Sequence, residues 1–508
     1  MPIVRTHELH PGASHEAQDQ VYNGLDAMIT LEVHEELARL CNAESEVYSF
    51  ERALQAPLLE MMLRGFKIDE YERQRAMSEL RASYAQVYAA LQVLAQAVWG
   101  RELNPGSHQQ VKAFFYGAMG LPEEWRSRKG VRKLSMDRET LEKLEVYFYA
   151  RPIIAAILSC RDHTKLLSVV ETQIDPDGRW RTSYNMATET GRLSSSKSAF
   201  GTGSNTQNLQ RDDEDDLANG VPSIRRMFAA DQGYKLCNID LEQTESFDVG
   251  WAHGTLLGDW TYLDKLEEGD IHTQVCRMVW PSMPWTGNLR EDRKLADRNF
   301  YRNYSYRDMA KRGGHLSNYM GTAWTMARSL KIPIKLAETF QQSYATGNDA
   351  AFPAFPRWWR WVAGELQTTQ RLVTPYGRER HFFGRPNDDA TLREAIAYVP
   401  QSSTADRMNL GMWRIWHELG DRAFLLAQVH DSVVFQFRET EDEQGLIQRA
   451  LELTRVPLSD GRRTMVVGAE AKIGWNWGTY DKLANPDGLV KWKRDTRDLR
   501  ERTKVRTL

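Results

Sequence analysis

The sequence predicts an α+β fold, and three observations support this class. The hydrophobic periodicity is helical over residues 23–100 and 137–172, then strand-like, helical again over 290–370, and strand-like near the end. The 508 residues correspond to about three domains at roughly 150 residues each. Hydrophobic residues make up 41% and charged residues 27%, as in ordinary globular proteins. We therefore expect a mixed body in which a helical insertion separates two parts of one sheet.

Composition excludes several classes of protein. No run approaches roughly 18 apolar residues, so no transmembrane helix is predicted, and the N-terminus lacks the apolar core of a secretory signal. The cysteines are widely spaced and form no Cys-x-x-Cys pair, which argues against a zinc site and a disulfide framework. They are Cys41, Cys160, Cys237 and Cys276. We expect a soluble protein of the reducing cytoplasm, with no membrane partner.

The net charge of −3 does not indicate a nucleic-acid binder, but the charges are segregated. Residues 211–216 are acidic, whereas the stretch from Lys491 to Arg506 carries eight Lys or Arg against three acids. Local basic faces can bind phosphates even when the average charge hides them. We accordingly expect a basic C-terminal tail over residues 483–508.

The first helical block is interrupted in two places. Gly65 ends one helix, and Phe66–Asp69 is predicted to be a short extended segment before a helix over about 70–99. Asn104–Ser107 is typical of a turn that starts the next helix. A turn at Asp175–Gly178 then marks the change to strand-like alternation.

Two apolar segments beyond this turn are predicted to form buried strands. Tyr234–Leu241 is predicted to be a single strand, and residues 423–437 are predicted to be two strands joined at His430-Asp431. The polar stretch over residues 199–223 precedes both segments and is predicted to be a loop. A loop of this length inside an enzyme is usually functional or mobile.

An acid lies near the end of each strand segment, and each acid has two interpretations. Asp240 precedes a predicted helix, so it is either a helix N-cap or a charge held for chemistry. Asp431 lies in the strand connection, where it is either a simple turn residue or an acid presented at the edge of a sheet. Two carboxylates from separate strands can hold two Mg²⁺ ions about 3.5–4 Å apart.

A stripe of cations and rings is predicted on one helix. Steps of four residues advance the face of a helix by only about 40° and its axis by about 6 Å, so the members of the stripe lie in one row: Arg307, Lys311, His315 and Tyr319. The cations could meet triphosphate oxygens while the rings pack against sugar and base, or the row could be a solvated face. Gly313 and Gly314 cost a helix about 1 kcal/mol each, so we expect something to approach this face closely. Combined with the two acids, the stripe predicts a nucleotidyl transferase.

Ordered blocks along the chain resemble the family A DNA polymerases, the group of the bacterial repair polymerase and many phage replicases. The stripe is similar to the family's RxxxKxxxFxxxYG. The other blocks, in chain order, are Thr188–Ser195 with Asn208–Gln210 (TxTGRLSS and NLQ), Asp240–Phe247 (DYSQIELR), Tyr398–Asp406 (NAPMQGTAAD) and Gln428–Ser432 (QVHDE). The similarity extends from about residue 50 to about residue 482.

This resemblance implies a right-hand polymerase with thumb, palm and helical fingers, the palm containing an antiparallel sheet. The thumb would span residues 50–175, the palm 176–256 and 396–482, and the fingers 257–395. The implied reaction is template-directed addition of a deoxynucleoside monophosphate to a primer 3′-OH, with release of pyrophosphate. Two Mg²⁺ ions are the implied cofactors, with Mn²⁺ as a substitute, and the implied partners are primer–template DNA and dNTPs.

The resemblance also implies residue roles. Asp240 and Asp431 would be the catalytic metal ligands, assisted by the backbone carbonyl of Leu241. The residues implied in dNTP binding are Arg307, Lys311, His315, Tyr319, Glu245 and Gln243, with Glu245 against the sugar 2′ position. Those implied in DNA binding are Arg192, Gln401, His430, Arg393, Asn208 and Gln210. Arg161 and Lys165 would lie near duplex phosphates, or else be solvated surface cations.

Several positions depart from the family's pattern. His315 stands where the family has Phe or Tyr; its ring can stack and can also donate a hydrogen bond, which puts dideoxynucleotide discrimination in doubt. Phe247 replaces an Arg, and Ser432 replaces the Glu that follows the catalytic Asp. Met320 and Gly321 reverse the usual order after the tyrosine.

The N-terminal segment resembles only a fragment of the proofreading exonuclease that family members often carry. Tyr22 and Asp26 fit the last, Tyr-x-x-x-Asp, motif of that domain, or are a chance pair on a helix. Because 21 residues precede Tyr22, we expect residues 1–49 to be a remnant, or the last segment of an exonuclease whose other part is a separate chain. The small size and the missing exonuclease are typical of phage proteins, which would place the protein in a host cytoplasm.

Two rival functions remain open. A single-subunit RNA polymerase would share the palm and the two aspartates, although Glu245 and the TGRLSS block favour DNA synthesis. The second rival is a catalytically inactive replisome subunit that binds primer–template. The presence of Asp240, Asp431, Arg307 and Lys311 argues against this second function.

Overall fold

Helices surround a central antiparallel sheet in the computed structural model of this chain. The structure describes residues 12, 14–40, 45–128, 131–210, 212, 222–302 and 304–494. In these ranges the helices fall short of the length or apolar character that a bilayer span requires. The expected α+β class with an antiparallel sheet is confirmed.

The helices fall into a group that precedes the central sheet and a group that is interleaved with it. The first group is α1 (His15–Leu40), α2 (Glu46–Arg64), α3 (Glu70–Trp99), α4 (His108–Lys112), α5 (Arg138–Leu144) and α6 (Arg151–Val170). The second is α7 (Thr244–Leu257), α8 (Thr261–Glu267), α9 (Ile271–Val279), α10 (Leu289–Ala296), α11 (Tyr306–Asn318), α12 (Ala323–Ser329), α13 (Ile334–Gln341), α14 (Ala354–Thr368), α15 (Asp389–Leu419) and α16 (Glu443–Thr454).

The strands are mostly short. Those before the central sheet are β1 (Phe66–Ile68), β2 (Trp125–Arg128), β3 (Val131–Leu134), β4 (Arg179–Trp180), β5 (Thr182–Asn185), β6 (Ser194–Lys197) and β7 (Phe228–Ala229). The remainder are β8 (Tyr234–Leu241), β9 (Asn299–Tyr301), β10 (Tyr304–Ser305), β11 (Arg371–Val373), β12 (Glu379–His381), β13 (Phe424–Val429), β14 (Ser432–Arg438), β15 (Leu458–Ser459), β16 (Thr464–Met465), β17 (Ala469–Gly474) and β18 (Val490–Lys491).

The central sheet has the strand order β13-β14-β8-β17-β18, and every neighbouring pair is antiparallel. Its middle strands are apolar on both faces because each face lies on a different core. Val433 and Phe435 of β14 join the core that contains α15 and α16, whereas Val434 joins the core around Phe66 and Phe228. Alternate side chains of a strand point to opposite faces, so the continuous apolar run predicted near residues 423–437 follows from burial on both sides.

A third core holds the long N-terminal helices together. The fully buried residues of this core include Leu91 of α3, Ile154 of α6 and Phe114, which lies just after α4. The turn at Asn104–Ser107 starts α4 as expected, with the Ser107 hydroxyl accepting a hydrogen bond from the Gln110 backbone N–H.

The structure differs from the sequence-based expectations in two segments. A β9–β10 hairpin interrupts the predicted helical region over 290–370. β18 pairs with β17, and the Trp492 N–H donates to the Ala471 carbonyl. The first part of the predicted tail, which was expected to start at residue 483, is therefore an edge strand of the central sheet. Residues 495–508 and most of the acidic segment 211–216 lie outside the described residues.

Candidate active site

The two predicted acids meet at one end of the central sheet. Asp240 of β8 is the direct cross-strand partner of Ser432 at the start of β14. The next backbone contact is a hydrogen bond from the Leu241 N–H to the Asp431 carbonyl, 3.0 Å long. The register therefore brings Asp240 and Asp431 side by side, although they are far apart in the chain.

A third acid shares this end of the sheet. Glu470 of β17 is directly opposite Asp240 on the other side of β8, and cross-strand partners project to the same face. Its carboxylate forms an ion pair with Lys491 of β18, 2.5 Å from nitrogen to oxygen. The sequence analysis missed Glu470, because only the β8–β17 register places it there.

The turn that carries Asp431 is tightly held. His430 has a φ of 56°, and the Gln428 side chain donates to the His430 carbonyl at 2.6 Å. The Gln207 side chain donates to that of Gln428 at 3.1 Å. The predicted block Asn208–Gln210 therefore contacts the turn through the residue just before it, whereas Asn208 and Gln210 themselves are exposed.

Glu245 lies in the first turn of α7, shortly after Asp240 in the chain, and lines the same cavity as Asp431. Gln243, with a φ of 54°, reverses the chain just before that helix. Arg192 forms an ion pair with one Glu245 oxygen, and the Tyr319 hydroxyl donates to the other at 2.8 Å. Burial and the Glu245 carboxylate raise the pKa of Tyr319 well above its ordinary value. Tyr319 is therefore protonated and acts as a donor that immobilises Glu245.

The predicted cation stripe lies on α11 and at its C-terminal end. A capping box between Ser305 and Asp308 starts the helix immediately before Arg307. His315 and Tyr319 contact each other edge to face at 5.2 Å, and Tyr319 is the residue that follows the last helical turn. Arg307, Lys311 and His315 therefore lie on one helix as predicted, and Tyr319 follows its last residue.

Two adjoining cavities occupy the space between the stripe and the acids. One, of about 410 Å³, is lined by Arg192, Glu245, His430 and Asp431, and the other, of about 370 Å³, by Lys311 and by residues of α9. Gln243, Ser246 and His315 line both cavities. The two cavities are therefore neighbours, an acidic end with Glu245 and Asp431 and a cationic end with Lys311 and Arg312.

His272 of α9 is a cavity residue that the sequence analysis missed. It lines the same cavity as Lys311 and His315. Burial and the nearby Arg307 lower the pKa of His272 to about 4, so the ring is neutral near pH 7. A neutral imidazole can still donate one hydrogen bond. The His-Thr pair at 272–273, in the first turn of α9, was the available sequence signal.

The glycines of α11 serve the core rather than a ligand. A Cβ on Gly313 would lie 2.8 Å from the ring of Phe340, and one on Gly314 would lie 3.4 Å from the Tyr344 hydroxyl. The expectation that something approaches this helix closely is correct, but the approaching groups are rings of the same chain.

The remaining predicted DNA contacts are scattered. Arg393 is exposed on α15 and lies 3.5 Å from Asp389, while Gln401 is half-buried on the same helix. Lys165 is exposed. Arg161 fits neither of its two predicted roles, because its guanidinium donates to the carbonyls of Pro105 and Met136 at 2.8 and 2.6 Å. It braces the helical N-terminal region.

Buried ion pairs connect the elements that carry the site to α15. Arg407 of α15 contacts Asp248 of α7 at 2.6 Å, with side-chain exposures of 0% and 1%. Arg378 donates to Asp406 at 2.8 Å and packs against Gly191, where a Cβ would lie 2.6 Å from the guanidinium. Gly191 has a φ of 68° and precedes Arg192. These pairs tie α7 and the Arg192 loop to α15, and the sequence patterns gave no indication of them.

The structure thus belongs to the class of mixed helix-and-sheet folds, with two acids together at one end of an antiparallel sheet and a cation-bearing helix beside the adjoining cavity. Residues 74–479 match the family described as DNA polymerase family A. The chain belongs to DNA polymerase family A.

Similar proteins agree with this assignment. The chain is 29% identical over 494 residues to DNA polymerase I of Chloroflexus aurantiacus, covering 91% of this chain and 47% of that protein. It is 30% identical over 414 residues to thermostable DNA polymerase I of Thermus thermophilus, covering 76% and 43%. The chain thus spans about half the length of the curated relatives it matches.

A solved structure shows the same fold. The POL domain of Pol1 from M. smegmatis, in complex with DNA primer–template and dNTP, superposes with a TM-score of 0.69 at 24% identity. The match covers 87% of this chain and 72% of that chain. The expected right-hand fold is confirmed by this likeness.

Proposed function

We propose that this chain catalyses template-directed DNA synthesis, adding dNMP from a dNTP to a primer 3′-OH and releasing pyrophosphate. The observation that carries the proposal is the β8–β14 register, which sets Asp240 beside Asp431. Asp431 lines one cavity, and Lys311 and Arg312 line the cavity next to it. Membership of DNA polymerase family A supports the proposal.

The acids are proposed to hold two Mg²⁺ ions, with Mn²⁺ able to substitute. The donor set fits, because Asp240, Asp431 and the Leu241 carbonyl are the hard oxygen ligands that such ions prefer. Bound metal ions would activate the primer hydroxyl and stabilise the leaving pyrophosphate. The tightly held turn at His430 orients Asp431, so that little reorganisation is needed on binding.

The cationic end is proposed to bind the triphosphate. Arg307 and Lys311 would meet phosphate oxygens, and the neutral His272 ring would donate one hydrogen bond. His315 and Tyr319 would pack against sugar and base, with Gln243 at the junction of the two cavities. Arg312, the neighbour of Lys311, lines the same cavity and is a further candidate.

Glu245 is proposed to exclude ribonucleotides. Arg192 and Tyr319 hold its carboxylate in place, so it would occupy the space that a 2′-OH needs. We expect Glu245→Ala to raise the ratio of rNTP to dNTP incorporation, expressed as kcat/KM, by roughly tenfold or more. Tyr319→Phe is the control, since it removes one donor to Glu245 but keeps the carboxylate and should change the ratio less. An unchanged ratio in Glu245→Ala would make His315 the candidate instead.

Primer–template DNA is proposed to lie across the acidic end of the site. Arg192 and His430 line the cavity there, and Gln401, Arg393, Asn208 and Gln210 are the other proposed contacts. Minor-groove acceptors are common to all correct pairs, so contacts of this kind test pair shape without reading sequence.

The domain limits are proposed to follow the family. The thumb would span residues 50–175, the fingers 257–395, and the palm 176–256 with 396–482, extended by β18. We also propose a cytoplasmic setting, a host cytoplasm if the gene belongs to a phage. The buried free thiols of Cys160, Cys237 and Cys276 fit a reducing compartment.

Primer extension with dNTPs or rNTPs, with wild type and Asp431→Asn, tests the main proposal. Extension with dNTPs by wild type alone supports DNA synthesis. Extension mainly with rNTPs would favour an RNA polymerase, and equal inactivity of the two proteins in spite of tight primer–template binding would favour a non-catalytic subunit.

A separate exonuclease is the proposed further partner. α1 carries Tyr22 and Asp26, and the apolar side chains Tyr22, Leu25, Ile29, Val33 and Leu37 are distributed along its length. Four of these five side chains are more than 40% exposed. The helix is also acidic, which suits a partner with an apolar groove bordered by Lys or Arg.

We expect this chain alone to leave a mismatched, end-labelled primer intact in Mg²⁺ without dNTPs. Two-metal exonuclease chemistry needs several convergent carboxylates, and Asp26 is an exposed residue of α1 whose nearest acids in the chain, Asp19 and Glu32, lie roughly 9–10 Å away along the helix axis. Trimming by the chain alone that disappears in Asp26→Ala would contradict this expectation. If an added exonuclease-like protein trims the primer only when Asp26 is present, and Asp19→Ala on the same helix has no effect on trimming, the proposal of a separate exonuclease partner is supported.

A further inference from the structure

Asp270 occupies an unexpected place in the cationic end of the site. It precedes α9, and Arg307 of α11 grips its carboxylate with two nitrogens: Nε lies 3.1 Å from one oxygen and Nη2 lies 2.9 Å from the other. Arg293 approaches to 3.9 Å. The pair is largely buried, with side-chain exposures of 13% for Asp270 and 24% for Arg307.

The orientation of this carboxylate is not explained by the helix that it precedes. An aspartate at an N-cap ordinarily accepts hydrogen bonds from the first backbone N–H groups of the helix. The Asp270 side chain makes no such capping bond; it accepts from the Thr273 hydroxyl at 2.8 Å and from Arg307. Burial by itself would raise the pKa of Asp270, but the bonds from Arg307 and Thr273 lower it below its ordinary range. The group is therefore ionised at neutral pH.

The bond pattern uses the same atoms that a phosphate would need. A guanidinium meets a carboxylate or a phosphate through the same planar pair of N–H donors. Arg307 cannot present its Nε–Nη2 edge to Asp270 and to a triphosphate at once, and a phosphate on the remaining Nη1–Nη2 edge would meet a guanidinium whose charge Asp270 already offsets. Nearby, His272 and Lys311 line the cavity that the phosphates would enter.

We propose that Asp270 is an internal counterion that competes with the triphosphate for Arg307. The inference rests on the proposed nucleotide-binding role of the cationic end. With the site empty, Asp270 holds Arg307 in a defined position. A triphosphate displaces the carboxylate, and Asp270 takes Arg307 back as pyrophosphate leaves. Asp270 thereby weakens nucleotide binding and assists product release.

Binding of inorganic tripolyphosphate to the full chain, measured by calorimetry without divalent metal, tests the inference directly. We expect Asp270→Asn, which keeps the size of the side chain, to lower the Kd by roughly three- to tenfold, as expected for removing a competing ion pair. Asp270→Ser, with another good N-cap residue, should act in the same direction. Asp297→Asn is the matched control, because this exposed aspartate also lies 3.9 Å from Arg293 but acts on Arg307 only through longer-range charge, without a direct ion pair, so its effect should be clearly smaller.

The double variant Asp270→Asn/Arg307→Ala should bind no more tightly than Arg307→Ala alone, because the competition acts through Arg307. In primer extension, Asp270→Asn should lower the KM for dNTP and strengthen inhibition by pyrophosphate. If Asp270→Asn and Asp270→Ser bind tripolyphosphate as wild type does, or less tightly, while Arg307→Ala weakens binding, the counterion role is wrong and the phosphate site stands. If Arg307→Ala also binds like wild type, the inference and the proposed phosphate role of Arg307 fail together.

Discussion

Asp431→Asn and Asp240→Asn are expected to abolish primer extension, with a loss of at least about a thousandfold. Each change removes a negative ligand from the proposed metal site, and transition-state stabilisation of several kcal/mol disappears with it; each 1.36 kcal/mol is a factor of about ten in rate. Single-turnover extension of a labelled primer by saturating dNTP measures the loss. Primer–template affinity should change little, because it depends mainly on phosphate contacts.

A control for this experiment lies on the same hairpin. Asp421 is an exposed aspartate before β13, at the end of the β13–β14 hairpin opposite to Asp431, and Asp421→Asn should extend primers like wild type. Extension by Asp431→Asn or Asp240→Asn at a rate within tenfold of wild type would contradict the proposed role of the two acids as metal ligands. Loss of primer–template binding in the same variants would instead point to a structural role.

Asp248→Ala is expected to destabilise the fold by about 3–5 kcal/mol, because it leaves the Arg407 guanidinium buried without its counterion. The ion pair is fully enclosed, with 0% and 1% side-chain exposure; the Thr244 hydroxyl accepts a hydrogen bond from Arg407, and the Thr404 hydroxyl donates one to Asp248. Urea unfolding followed by tryptophan fluorescence measures the change in free energy.

The chain offers a matched exposed pair as the control. Arg138 and Asp162 are also 2.6 Å apart, but their side chains are 53% and 49% exposed, so Asp162→Ala should cost at most about 1 kcal/mol. Replacing both buried partners, as in Asp248→Leu/Arg407→Met, should recover much of the loss, because no unpaired charge remains. Equal destabilisation by Asp248→Ala and Asp162→Ala would show that burial does not govern the effect.

The sequence by itself determined the local parts of this protein. Strand β8 and the β13–β14 hairpin are visible as apolar runs, and Asp240 and Asp431 stand out because a charge at the end of such a run has no packing role. The stripe on α11 is visible because helical spacing is a local property of the chain. The order of these blocks was enough to indicate the family.

Only the tertiary structure decided which groups these parts contact. Asp270 and Arg307 are 37 positions apart and Gln207 and Gln428 are 221 apart, and no periodic pattern links residues at such separations. The same limit explains why the sequence predicted a close approach to the glycines of α11 without identifying the rings of Phe340 and Tyr344. It likewise gave no indication of the backbone carbonyls that Arg161 contacts. Partners are selected by strand register and helix packing, which depend on the whole apolar core rather than on any one segment.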